Sequence, residues 1–286
     1  MNTERPKIIA AHAKINLSLD VRGRRPDGYH ELDTIFQRLA LHDSLLLYPA
    51  ARGISVVCGR AALPTGPKNT VYRAAELIAQ EYGVKTGVKI LLKKRIPIAA
   101  GLGGGSADAA AVIRALPSFW HLPALSAERE LALARMVGAD VPFCLHGVTA
   151  RAGGIGDLLD PLPDFSGYEV LLVKPAARLS TARVYAQLAL DRVAHPDIPA
   201  VVAAIRQQSL TALGRVVGNA LEQPALELVP EIAGIKQALL AAGAPVVLMT
   251  GSGPTVFAVS DEDGWAYRAG RMLARPGWTI IATKTI

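Results

Sequence analysis

The sequence predicts an α+β protein in two lobes, and three observations carry that expectation. Polar and apolar residues alternate strictly over residues 14–21, which marks a β-strand near the start. Strand-like and helical runs then mix without a regular βα repeat, which argues against a doubly wound parallel sheet. A shift in composition near 160–165, with Pro161, Pro163 and Gly167, divides the chain into expected lobes of residues 1–163 and 164–286.

The elements follow in order. In the first strand Lys14, Asn16, Ser18 and Asp20 interleave with Ile15, Leu17, Leu19 and Val21, so a half-buried strand carries Lys14 and Asn16 on its polar face. Pro26-Asp27-Gly28 reads as a turn, since Pro presets φ and Gly supplies a positive φ. Strands are expected near 43–49, 54–57 and 88–92. A helix is expected over 70–82, opened by Asn69 and Thr70 and closed by Gly83. A glycine-rich loop over 94–105 leads into a helix from Ser106 to about Leu116. Ser126 caps a further helix that ends at Gly138. Strands near 148–152 and 169–173 precede a helical stretch from 180 to 242. The end reads strand (245–249), glycine turn, strand (255–259), helix (263–274) and strand (278–282).

Composition narrows the function. Half of the 286 residues (51%) are hydrophobic and 19% are charged, enough apolar side chain for a sizeable core and too little charge for a disordered chain. The net charge of +7 fits anionic partners. Aromatics are only 5%, and the longest basic cluster is Lys93-Lys94-Arg95, so no platform for nucleic acid is expected. Phosphorylated small molecules are the expected partners. Two cysteines, Cys58 and Cys144, give no disulfide framework, and reduced thiols in a cytoplasmic protein are expected. The opening Met-Asn-Thr-Glu-Arg-Pro-Lys has no apolar run, so no signal peptide is expected. An uncharged stretch over 237–260 is long enough to cross a bilayer, but Gly243, Pro245, Gly251, Gly253 and Pro254 interrupt it, and no membrane span is expected.

Four segments carry chemistry. In Pro97-Ile98-Ala99-Ala100-Gly101-Leu102-Gly103-Gly104-Gly105-Ser106, glycines leave backbone amides bare ahead of a helix start, which makes an anion site. The loop lacks the Gly-Lys-Ser/Thr of a P-loop and the last glycine of the dinucleotide fingerprint. Asp108 is expected on the solvent side or as a cap. A second glycine cluster, Thr250-Gly251-Ser252-Gly253-Pro254-Thr255, reads as a hairpin turn or as a loop over a phosphate. Asp140, in Gly138-Ala139-Asp140-Val141-Pro142, reads as a turn residue, or as a carboxylate among apolar neighbours that needs a cation, with Lys14 the candidate. In Asp27-Gly28-Tyr29-His30, His30 is an ordinary histidine, or Tyr29 and His30 offer a face to a flat ring. No His/Cys cluster has metal-ligand spacing.

Together these segments resemble the GHMP kinases, small-molecule kinases that include galactokinase, homoserine kinase and mevalonate kinase. Three motifs match in order: the Lys14 strand, the Gly-Leu-Gly-Gly-Gly-Ser loop and the Thr-Gly-Ser-Gly-Pro-Thr loop. Within them the chain looks most like the branch that phosphorylates a cytidine diphosphate-linked sugar alcohol in isoprenoid precursor synthesis. Ala13-Lys14-Ile15-Asn16-Leu17, Arg24-x-Pro26-Asp27-Gly28-Tyr29-His30, Asn69-Thr70, Pro97 to Ser106 and Gly138 to Pro142 carry that likeness, tightest over the first 160 residues. Two positions depart from the pattern: His12 stands for Pro, and Ala107 for a second Ser, which removes a hydroxyl near the phosphates.

The resemblance implies a ribosomal-protein-like N-terminal lobe and a ferredoxin-like C-terminal lobe. It implies Asp140 as the base that takes the hydroxyl proton, with Lys14 and Asn16 beside the γ-phosphate. Tyr29 and His30 would contact cytosine, and Tyr185 its other face. Asn69, Lys94, Pro97, Gly101, Leu102, Gly103, Gly104, Gly105 and Ser106 would hold ATP. Mg2+ would accompany the nucleotide, with Ser106 the candidate ligand. A GHMP kinase for another alcohol, a non-catalytic relative and a nicotinamide oxidoreductase are the competing readings.

Overall fold

The computed structural model describes residues 6–59 and 63–286; most of the opening segment considered for a signal peptide lies outside them. The chain opens with two long strands, β1 (Lys7–Arg24) and β2 (His30–Ala50), and then β3 (Ile54–Cys58), helix α1 (Thr70–Tyr82) and β4 (Gly87–Lys93). Three helices follow, α2 (Gly104–Phe119), α3 (Ala127–Val137) and α4 (Val141–His146), then β5 (Ala150–Gly153), β6 (Leu158–Pro161) and β7 (Glu169–Pro175). Helices α5 (Thr181–Ala186), α6 (Ile198–Arg206), α7 (Leu210–Val216), α8 (Glu222–Leu228) and α9 (Glu231–Ala241) lead to β8 (Val246–Met249), β9 (Val256–Ser260), α10 (Trp265–Met272) and β10 (Trp278–Lys284). The α+β class holds.

The residues gather into two compact units that interleave along the chain. The first takes the described residues up to Ala13, then 41–97 and 103–147; the second takes 14–40, 98–102 and 148–286. Strands β1 and β2 therefore contribute to both.

In the first unit β2 pairs antiparallel with β4 (Ser44 with Lys93 through Ala50 with Gly87), and β3 pairs parallel with β4. Helix α1 shows why this unit closes. Val71, Ala74, Ala75 and Ile78 recur at the i, i+3, i+4, i+7 spacing of one helix face, and all four are buried. They meet Val112, Ile113 and Leu116 of α2, Leu133 of α3, and Leu45, Ile90 and Leu92 of the sheet. Each fully buried aliphatic of this size contributes about 1.5–3 kcal/mol. The ends of α1 are those expected: the Asn69 side chain accepts from the Val71 amide, and Gly83 closes the helix at φ 64°. Ser126 caps α3 through the Arg129 amide. Helix α4 was not expected, and it begins directly after Asp140.

In the second unit the N-terminal half of β2 pairs with β5, and β5 with β6. A four-stranded antiparallel sheet runs β10-β7-β9-β8. Its core joins Leu171, Val173, Val256 and Ala258 to Ile232, Ile235 and Leu239 of α9 and Trp265, Ala266 and Ala269 of α10. The uncharged stretch after 237 is the end of α9, the strand β8, a glycine turn and β9. Among the described residues no helix is long and apolar enough to cross a membrane.

One strand corrects the sequence reading. Strand β1 is not half-buried: Lys14 is 4% exposed, Asn16 2%, and Ser18 and Asp20 are fully buried. A polar row tolerates this because its members are paired rather than solvated. Strand β2 also starts at His30, well before the expected 43, because its N-terminal half mixes polar and apolar side chains and lacks a clean period of two.

Candidate active site

In the first unit the glycine loop becomes the N-terminus of α2. The helix starts at Gly104, two residues before the expected Ser106, with Gly103 as its cap. Its first intrahelical hydrogen bond runs from the Ala107 amide to the Gly103 carbonyl. The amides of Gly104, Gly105 and Ser106 precede it, as the free donors of a helix start do. Together with the helix dipole they favour an anion. A side chain at Gly104 would meet Ile96 Cγ2 at 3.0 Å and Lys94 Nζ at 3.2 Å, so glycine lets the chain lie here without displacing either side chain. Thr70 Oγ1 of α1 donates to the Gly105 carbonyl at 2.8 Å and steadies the turn.

Beneath this turn lies a charged clip. Lys94 Nζ sits 2.7 Å from Asp108 Oδ2 and 2.5 Å from Asp43 Oδ2, with all three side chains at most 4% exposed. Asp43 Oδ1 also accepts from the backbone amides of Arg95 and Ile96. The clip joins Lys94, the first residue of the loop, to the second turn of α2. Burial pushes the Asp108 carboxyl up, Lys94 opposes this, and the Asp43 charge adds to it, leaving Asp108 at about 7. Burial alone would lower the Lys94 ammonium, but the two carboxylates hold it above the usual lysine value.

Asp108 is thus a correction. It is buried and paired, not on the solvent side, because α2 is covered all round at this level: residues 107–110 are all buried. Ala107 belongs to the same core, so a hydroxyl at that position would meet hydrophobic side chains. His12, the other departure, packs at a tilt against His42 with ring centroids 5.2 Å apart. Asn69 Oδ1 caps α1 and its Nδ2 donates to the Pro64 carbonyl, so both ends of its amide are used within the chain. Asp140 is half-buried at the start of α4, makes no side-chain cap to that helix, and is followed by buried Val141, Pro142 and Phe143.

The second unit holds Lys14, Asn16, His30, Tyr185 and the first part of the loop. The Lys14 amide donates to the Leu102 carbonyl at 3.1 Å. Lys14 Nζ donates to Asn16 Oδ1 at 2.8 Å and stands 4.8 Å from the centroid of the Phe36 ring. The Asn16 amide donates to Thr250 Oγ1 at 3.0 Å, which ties β1 to the second glycine cluster. That cluster is the turn between β8 and β9, as expected. It approaches the glycine loop so closely that a Cβ on Gly101, whose φ is 74°, would lie 2.3 Å from the Thr250 carbonyl oxygen. Asn219 Nδ2 holds the turn from behind, donating to the carbonyls of Met249 and Gly251 at 2.8 Å each. Ser252 meets Thr181 of α5, the helix that carries Tyr185.

His30 and Tyr185 stack with ring centroids 4.6 Å apart and planes 31° from parallel. Burial, with the Arg24 charge adding, lowers His30 from the usual 6.5, so the imidazole is neutral at neutral pH. Tyr29 is 60% exposed at the end of the turn. Its position follows from Gly28, with φ 86°, and from Asp27 Oδ1, which accepts the Tyr29 amide.

The first unit thus holds bare amides at a helix start and a half-buried aspartate, and the second holds the buried Lys14; each is a kind of group in the set that phosphoryl transfer uses. Comparison with known proteins gives that set a family. The model of the GHMP kinase N-terminal domain matches residues 69–148, and that of the GHMP kinase C-terminal domain matches residues 201–277. A 4-diphosphocytidyl-2-C-methyl-D-erythritol kinase from Acetivibrio thermocellus is 43% identical over 97% of this chain and 98% of its own. The chain belongs to the GHMP kinases. The solved structure of a 4-(cytidine 5'-diphospho)-2C-methyl-D-erythritol kinase is 38% identical, with a TM-score of 0.83 over 98% of this chain and 99% of the other. A homoserine kinase from Cytophaga hutchinsonii, 21% identical, shares the fold at a TM-score of 0.79 over 100% and 99% of the two chains.

As a GHMP kinase the chain is an ATP-dependent phosphotransferase. Sequence reasoning about this kinase missed Asp43, Thr34 and Asn219. Asp43 had a readable signal, an acid between strand-forming apolar runs. Thr34 and Asn219 had none, because their partners lie on other elements.

Proposed function

We propose that this kinase transfers the γ-phosphoryl group of ATP to the 2-hydroxyl of 4-diphosphocytidyl-2-C-methyl-D-erythritol, a step of the non-mevalonate route to isoprenoid precursors. The observation that carries the reading is the 43% identity, over nearly the whole of both chains, to a relative of that name. The aromatic pair supports it, since His30 on Tyr185 offers an apolar ring face and a neutral imidazole edge to a cytosine.

In this reading Gly101, Leu102, Gly103, Gly104, Gly105 and Ser106 cradle the phosphates with backbone amides, and Pro97 and Asn69 shape the nucleotide side. Lys94 acts on the nucleotide by holding the loop to α2. Lys14 supplies positive charge to the phosphoryl group in transit, and Asn16 orients Lys14. Asp140 accepts the hydroxyl proton as the oxygen attacks. Tyr29, His30 and Tyr185 bind the base. The cytidine moiety, far from the reacting atoms, provides binding energy that orients the hydroxyl. In this reading lobes at 1–163 and 164–286 carry the two halves of the family pattern, with Tyr185 alone of these residues in the second; the two family-model matches, at 69–148 and 201–277, fall on either side of that boundary.

Mg2+ belongs to this reading through the chemistry of its partner. Among the described residues no three or more His, Cys, Asp or Glu side chains gather as a metal site, and the buried carboxylates Asp43 and Asp108 already share Lys94. That donor set fits a Mg2+ held chiefly by the phosphates and water, with the Ser106 hydroxyl as the protein's contribution. Bound there, it would neutralise charge on the phosphates. A cytoplasmic location accords with two free thiols.

The test is an ADP-release assay with Mg-ATP and the cytidine substrate, run beside homoserine and mevalonate. Turnover with the cytidine substrate alone is expected. Turnover with another alcohol instead would keep the kinase and discard the roles of Tyr29, His30 and Tyr185. Asp140→Ala is expected to lower kcat by about 10²–10⁴ while ATP still binds.

A further inference from the structure

We propose that Thr34 is a positioning residue for phosphoryl transfer: it decides which end of the Asn16 amide faces Lys14. The inference rests on the role proposed above for Lys14, and it follows from counting hydrogens in a buried row.

Thr34 lies on β2, which pairs with β1, and its side chain is fully buried. Its Oγ1 is 2.6 Å from the Ser18 carbonyl oxygen. A carbonyl only accepts, so the single hydroxyl hydrogen of Thr34 is spent there. What remains on Oγ1 can only accept. The nearest atom of the Asn16 side chain, 2.8 Å away, must therefore be the donor Nδ2. The other end of the same amide is then Oδ1, and it points to Lys14 Nζ at 2.8 Å. An ammonium carries donors only, so a reversed amide would set NH2 against NH3+ in a site where neither reaches bulk water.

Thr250 leaves this choice to Thr34. Its Oγ1 accepts the Asn16 backbone amide, and its one hydrogen lies between Asn16 Oδ1 at 3.4 Å and the Gly101 carbonyl at 3.3 Å. That hydrogen can turn to Gly101 if Asn16 flips. The Ser18 carbonyl offers Thr34 no such alternative. Thr34 thus acts through Asn16 on the lysine, and touches neither phosphate nor substrate in this reading.

The experiment compares Thr34→Val, which keeps the shape and removes both hydrogen-bonding functions, with Thr34→Ser, which keeps them. Steady-state kcat and KM for ATP are measured in the wild-type background, and the single-turnover rate at high enzyme concentration is measured in both the wild-type and Asn16→Ala backgrounds. Thr34→Val is expected to lower kcat about tenfold or more, to leave KM for ATP within about twofold, and to be rescued by Thr34→Ser. In Asn16→Ala the same Val substitution should lower the rate less than about twofold, because the group it acts through is gone. An equal loss in both backgrounds would make Thr34 merely structural, and a wild-type kcat for Thr34→Val would end the proposal. Thermal melting is read first. If Thr34→Val does not fold, Thr34→Cys, a weaker donor and acceptor of similar size, enters the same cycle with the same expectations. Lys14→Ala with wild-type turnover would instead remove the role beneath the proposal, and the Thr34–Asn16 coupling would still be read on its own.

Discussion

The two stretches that hold the glycine loop use different physics. After Leu102 the loop is fastened by charge: one lysine between two buried carboxylates, one of which also binds two backbone amides. Up to Leu102 it is fastened by neutral hydrogen bonds, through Lys14 N–H, Thr250 and Asn219. A buried ion pair gives little net stability when intact but is expensive to break, because an unpaired charge is left behind. A neutral network loses less when one member goes, because a stranded amide or carbonyl is cheaper than a stranded carboxylate. The charged clip should therefore fail abruptly and the neutral network by degrees.

The strongest test removes the only cation of the clip. Lys94→Met leaves Asp43 and Asp108 without it, and we expect a loss of about 3–5 kcal/mol in urea unfolding at pH 8, with a smaller loss at pH 5, below the raised value of Asp108, where that carboxyl is protonated. A pH-independent loss would break the comparison. In the neutral network Asn219→Ala strands two carbonyls and the Leu221 amide, which the Asn219 Oδ1 receives. The expected loss is about 1–3 kcal/mol by the same measurement, unchanged with pH. If Asn219→Ala were as costly as Lys94→Met, the distinction between charged and neutral fastening would not hold.

A subtler test uses the position of Asp108. Its carboxyl lies at about 7 in the fold against an ordinary 3.8. The folded chain thus holds the proton more tightly than the unfolded chain. The stabilisation this brings is full below the unfolded value and is lost as pH rises through about 7. Asp108→Asn keeps an acceptor for Lys94 and removes the titration. Scanned by thermal melting from about pH 4 to about pH 8, wild type should lose stability relative to Asp108→Asn; parallel curves would count against a shifted Asp108. The smallest effect is expected at Thr181, whose hydroxyl pairs with Ser252 near the surface. Thr181→Val should change stability by less than about 0.5 kcal/mol. A larger loss would mean that this contact belongs to the fastening of the loop.

Much of the fold was legible because local rules were obeyed. Asn69, Gly83, Ser126 and Gly138 marked helix ends that the structure keeps. The hairpin around Gly251 and Gly253 was readable from its glycines between apolar runs. What was not legible depends on partners distant in sequence. The alternation in β1 reads as half exposure, but Asn16 is satisfied by Thr34 and Thr250, and Asp20 by Arg22 and His195, so the polar side could be buried. Asp108 reads as solvent-facing because acids suit a helix start, while Lys94 and Asp43, its true partners, come from just past the end of β4 and from the interior of β2. Of the aromatic residues read as base-binding, His30 and Tyr185 meet although 155 positions separate them, an approach no local pattern in the sequence encodes.

The interleaving of the two units has a consequence for how such a gene can change. Because β1 and β2 each supply residues to both units, neither is a continuous stretch of coding sequence. Recombination that swaps one contiguous block therefore cannot exchange one unit and leave the other whole. New specificity in such a chain has to arise by substitutions and loop changes within a fixed frame, and a library built by crossing relatives at a single junction should yield few folded members compared with one built by mutating the Tyr29–His30 turn and helix α5.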